Sequence, residues 1–112
     1  MQELPVINRS QELYEASLKI TDKLPALRRQ TLGRRLETSI LELLELFIMA
    51  KHAPKAHKTA YLIKATSRVE IVQFQLRILL TQKLANETTL HQLQAKAAEI
   101  GRMLGGWRKS IQ

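Results

Sequence analysis

Apolar positions along this chain recur three and four residues apart, the spacing of one face of an α-helix. Leu13, Ser17, Ile20 and Leu24 keep a 4-3-4 rhythm, with Asn8 or Ser10 as candidate caps and Pro25 as the stop. A second helix is predicted over about residues 31–52, opening between Leu27 and Thr31. It carries Leu32, Leu36, Ile40, Leu43, Phe47 and Ala50, flanked by Leu41, Leu44 and Ile48. Gly33 weakens its first turn by about 1 kcal/mol relative to Ala, which argues for a start beyond it. Pro54 within HAPKAHK marks the next break. A third helix over about 57–84 places Leu62, Ala65, Val69, Val72, Leu76 and Leu79 on one stripe. After ANETT, with Thr88 or Thr89 as cap, a fourth over about 89–110 carries Leu90, Leu93, Ala97, Ile100, Leu104 and Trp107, with Ile111 beyond. No alternating strand pattern competes. The expectation is an all-α chain, one domain over 1–112, folded as an up-down-up-down antiparallel four-helix bundle.

The third helix breaks the one-stripe rule. Ile63, Ile71, Phe74 and Ile78 form a second apolar stripe nearly opposite the first, at about 100° per residue. One small bundle cannot cover both sides of one helix, so these four residues are candidate contacts in a homo-oligomer. Gly101 and Gly105, beside the fourth seam, would let another backbone come close. They serve either packing within the chain or the oligomer interface.

Charge adds a partner class. Lys and Arg number 18 against 10 acidic residues, a formal charge of +8 in 112 residues. Such an excess attracts polyanions, with RNA or DNA first because each neutralised phosphate releases counterions. An anionic membrane surface, an acidic protein, or a merely solvated basic surface also fits. The candidate nucleic-acid contacts are Arg28, Arg29, Arg34 and Arg35 at the entry to the second helix, Lys58 at the second break, and Lys64 and Arg68 on the third helix. Lys51, Lys55 and His57 crowd the same break as Lys58. The arginines near a helix N-terminus sit where the macrodipole disfavours cations, which favours a binding role. No helix-turn-helix, zinc-finger or RNA-recognition signature occurs, so contact should be phosphate-driven and salt-dependent.

Chemistry is sparse. There is no cysteine, hence no disulfide, thiolate metal site or cysteine nucleophile. Glu37, Glu42 and Glu45 share a helix, but no Glu-x-x-His occurs, and His52, His57 and His91 are scattered, so no metal is expected. No phosphate loop or nucleophile elbow is present, and no acid–base pair stands out. The expectation is a protein without cofactor that binds rather than catalyses. No apolar run is long enough for a signal peptide or a membrane span, so the expected location is the cytoplasm, without membrane association.

The run EIGRMLGGWRKSIQ, with LPALRRQTLGRRLETSILELLELF and VEIVQFQLRILL, resembles a family of bacterial four-helix-bundle proteins. Its most specific part is Gly101-Arg102-Met103-Leu104-Gly105-Gly106-Trp107, since glycines inside a helix are unusual. The broad family includes proteins encoded within ribosomal-RNA intervening sequences. The nearer likeness is to the accessory variability determinants (Avd) of diversity-generating retroelements. That resemblance implies a barrel-like homopentamer that binds nucleic acid and a reverse transcriptase, and carries no polymerase chemistry itself. It also implies a reverse-transcriptase contact on the third helix, where Arg77 matches the second arginine of an L-R-F-x-L-R stretch and Gln73 stands in place of the first. The alternative is an oligomeric interaction protein of the intervening-sequence type, with no reverse-transcriptase partner.

Overall fold

The computed structural model describes residues 3–111. Met1, Gln2 and Gln112, the ends of the expected 1–112 domain, lie outside the described residues. Among the described residues there are four helices and no strand. Helix α1 is Glu3–Thr21. Helix α2 is three stretches without a break, Ala26–Arg28, a π-helical turn Arg29–Gly33, and Arg34–His52. Helix α3 is Lys55–Thr81 and α4 is Glu87–Ser110. Each helix packs on its chain neighbours, and α4 closes back on α1. Cross-helix pairs fix the antiparallel order: Arg68 with Glu42 (α3–α2), Arg108 with Thr66 (α4–α3) and Arg9 with Glu99 (α1–α4). The result is a rod of 44 × 23 × 19 Å.

The seams expected from periodicity are the core. Leu36, Ile40, Leu43, Phe47 and Ala50 of α2 are buried, as are all six stripe residues of α3 and the six of α4 from Leu90 to Trp107. Leu32 and Ile111 are half-buried at its edges. The rings of Phe47 and Trp107 stack at 6.1 Å between centroids, tying α2 to α4.

The helix ends differ from expectation. Helix α1 starts at Glu3, not at Ser10: Pro5 fits the first turn, whose amides lack helical partners anyway, and Val6 extends the buried stripe one turn back. Ser10 is therefore no cap. It is buried, and its hydroxyl donates to the Val6 carbonyl at 2.8 Å. Asn8 lies exposed within the same helix. Gly33 does not mark the start of α2, which begins directly after Pro25. A Cβ at Gly33 would sit 3.2 Å from Leu24 Cδ1 and 3.4 Å from Thr21 Cβ, so the missing side chain lets the end of α1 press against α2. The cap of α4 is Asn86, not Thr88 or Thr89: its Oδ1 accepts from the Thr89 amide at 2.9 Å.

Helix α3 begins at Lys55, two residues before the expected start, and stops at Thr81, short of Leu84. Lys83 adopts φ 55° there. The Leu84 amide donates to Leu79 O at 3.0 Å, and the Lys83 amide to Leu80 O at 3.1 Å. This is a Schellman closure, with half-buried Leu84 folded against the core. A lysine in the left-handed region is strained by about 1–2 kcal/mol, part of which glycine would lose again in unfolded-state entropy. Lys83→Gly should therefore stabilise the fold by up to about 1 kcal/mol, measured as a raised urea midpoint with unchanged slope.

Candidate functional site

The basic residues proposed for nucleic acid do not form one patch. Arg28, Arg29, Arg34 and Arg35 surround the π-helical turn of α2, and all four are exposed. Arg29 reaches back to the Asp22 carbonyl at 3.4 Å, and Arg34 donates to Gln30 Oε1 at 2.9 Å. No acidic residue lies in the first turn of Ala26–Arg28 or of the π-helical turn. The acidic residues nearest in sequence are Asp22 and Glu37, and the Glu37 carboxylate accepts from the Thr21 hydroxyl.

Lys58 stands at the opposite end and has a structural task. Its Nζ donates to the carbonyls of Ala50 at 2.8 Å and Lys51 at 3.0 Å, capping the last turn of α2 from α3. An ammonium with two of three donors so engaged has little left for a phosphate.

Lys64 and Arg68 lie midway along the rod. Arg68 pairs with Glu42 at 3.2 Å. Both basic residues border an open groove of about 320 Å³ shared with Glu42, Glu45, Leu46 and Met49. Two bases facing two acids make this groove nearly neutral, a poor place for a polyanion and a good one for another protein. The two glutamates could not be assigned as counter-charges from sequence, because the pairing crosses between helices.

The second apolar stripe of α3 is exposed, as its spacing predicts. Phe74 is 56% and Ile63 50% accessible, Ile71 is exposed and Ile78 is half-buried. Met49 and Ile71 both line the neutral groove, so the apolar surface continues from α3 onto α2. Sequence periodicity gave no warning of Met49, which lies on the flank of its own helix. Gln73 and Arg77 face a depression of about 350 Å³ with Ser67, Glu70, Ile71 and Phe74. The two polar residues that the family resemblance singles out therefore share one surface with the apolar stripe.

Gly101 and Gly105 border a further groove, between α3 and α4, with Thr66, Gln73 and Arg108. A Cβ at Gly101 would meet Val69 Cγ1 at an ordinary 3.5 Å, and one at Gly105 would meet nothing within 4 Å. Packing within the chain therefore gives no reason for glycine at 105, where alanine would add about 1 kcal/mol of helix propensity.

Among the described residues, no three His, Asp or Glu side chains are placed to hold a metal ion, and no helix is long and apolar enough to cross a membrane. A family model described as bAvd-like matches residues 5–111 of the chain. No curated protein matches it.

The Lys58 geometry separates structural from binding roles. Lys58→Met should lower stability by about 1–2 kcal/mol, the scale of hydrogen bonds to a charged donor at a partly exposed site. Lys55→Met, on an exposed side chain of the same turn, should leave the thermal midpoint within error.

Proposed function

Since the chain belongs to the bAvd-like family, we propose that it is a non-catalytic accessory subunit of a diversity-generating retroelement, binding nucleic acid and the element's reverse transcriptase. The family match over residues 5–111 carries this reading. The formal charge of +8 and the exposed arginines around the start of α2 support the nucleic-acid half of it. The exposed stripe of Ile63, Ile71 and Phe74 supports the protein-binding half.

On this reading the subunit brings template RNA to a polymerase whose chemistry resides in the partner, in the cytoplasm. Copies assemble side by side, covering the α3 stripe and the glycine-lined groove, with five as the number the resemblance implies. Arg77, with Gln73 beside it, faces the reverse transcriptase. Arg28, Arg29, Arg34 and Arg35 contact phosphates without base readout. Gln73, where the family pattern has arginine, favours a second reading: an oligomer of the intervening-sequence type that has no reverse-transcriptase partner.

Co-purification separates the two. The first reading expects the chain to elute with the reverse transcriptase encoded beside it, and Arg77→Ala to release it. An intact oligomer that never retains the enzyme would favour the second. Assembly has its own measurement. Light scattering should give a mass several times the 12.9 kDa of one chain, and the double variant Ile71→Glu, Phe74→Glu should run as a folded monomer. A wild-type monomer at micromolar concentration would remove the oligomer from either reading.

A further inference from the structure

Alternating helix directions give the rod two poles. The end of α1, the start of α2, the end of α3 and the start of α4 meet at one, and the opposite ends meet at the other. Charge is unevenly divided along the 44 Å between them. Acidic side chains are densest at the waist, with Glu42 and Glu45 on α2, Glu70 on α3, and Glu12 and Glu99 on α1 and α4, while Asp22 and Glu87 lie at the pole where α2 starts and Glu37 lies close to it. The waist bases are partly consumed there, Arg68 by Glu42 at 3.2 Å and Arg9 by Glu99 at 3.3 Å. The net positive charge is therefore displaced to the poles. One pole holds the α2 arginines described above. The other has exposed Lys51 and His52 in the last turn of α2, Lys55 and His57 in the first turn of α3, and Lys109 in the last turn of α4.

Helix electrostatics accounts for part of this second cluster. Cations in the last turns of α2 and α4 face the negative ends of their macrodipoles. It does not account for Lys55 and His57, which open α3 at its positive end, with no acidic residue in that turn. Three helix ends contribute, so the cluster is a surface across the end of the rod and not the polar face of one amphipathic helix. Among the exposed apolar residues Leu27 lies at the arginine pole, and near the lysine pole Ile48 and Met49 are exposed about one turn inside the end of α2, with Met49 lining the α2–α3 groove, which is a small apolar anchor for a lipid surface.

We propose that the Lys51–Lys55–Lys109 pole is a second site for a nucleic-acid backbone, so that each chain holds two backbone segments at opposite ends and keeps its waist for protein contact. The inference rests on the nucleic-acid reading above. Contact here is with phosphates, sequence-independent and driven by counterion release.

The test uses the full chain and a uridine homopolymer, with affinity followed against salt. The variant Lys51→Gln, Lys55→Gln, Lys109→Gln should weaken binding about tenfold or more at low salt. Its log–log salt slope should flatten by about 0.7 for each phosphate no longer neutralised, hence by about 2 in all. A matched set at the other pole, Arg28→Gln, Arg29→Gln, Arg35→Gln, should do the same, and the waist pair Arg9→Gln, Lys96→Gln (Lys96 is exposed on α4, one turn before Glu99) should change neither quantity. The substituted lysines are exposed, and the circular dichroism melt of the triple variant should match wild type. Wild-type binding with an unchanged slope in the lysine variant would overturn the second site and leave the nucleic-acid reading standing, as would equal weakening in the waist pair. Failure of wild type to bind at low salt would remove both. Capture of phosphatidylserine vesicles that depends on these lysines, with RNA affinity unaltered by them, would assign the pole to a membrane instead.

Discussion

Four helices closed into a square can each bury one stripe, and that limit organises this molecule. Helices α1 and α4 largely respect it, while α2 leaves Leu27, Leu41, Ile48 and Met49 exposed. Helix α3 spends Leu62, Ala65, Val69, Val72, Leu76 and Leu79 on the core and still carries Ile63, Ile71 and Phe74 outside. The second stripe is not forced by the fold, since the core is complete without it. Large apolar side chains in water on an otherwise charged surface are what the proposed protein contact would cover. The glycine at 105 points the same way, because nothing in its own chain needs the space.

Electrostatics and packing divide the length of the rod between them. Copies of a chain carrying +8 repel one another, and the repulsion is weakest where bases meet acids. The α2–α3 groove is such a place, with Glu42 and Glu45 opposite Lys64 and Arg68 beside exposed Met49 and Ile71. An interface there would bury apolar area with little charge penalty. The unneutralised bases stand clear of it, at the ends.

Much of the fold was legible because helical periodicity is local. The seams of α2, α3 and α4 could be marked residue by residue, and Pro25 and Pro54 located two of the turns. The resemblance carried by the C-terminal glycine run agrees with the family match over nearly the whole chain. What misled was chemistry that tertiary contact overrides. Ser10 has the composition of a cap but is drawn inside by Val6 and Leu13, and its hydroxyl finds a carbonyl one turn back. Gly33 looked like a weak helix start and is a point of close approach to Thr21 and Leu24. The pairing of Arg68 with Glu42 depends on how α2 and α3 align, which no short stretch encodes. Basic residues that read as one functional class thus divide into exposed arginines, a paired arginine and a capping lysine.

The capping lysine carries a consequence for chemical modification of the surface. Acylation of an amine needs its nitrogen lone pair free to attack, and Lys58 Nζ is held against two backbone carbonyls on a half-buried side chain. Reagents or enzymes that acylate lysine must first break that cap and fray the end of α2. Lys51 and Lys55, a few residues away and exposed, present no such barrier. The turn between α2 and α3 therefore holds amines of unequal reactivity, and the one that resists modification is the one that keeps the turn closed.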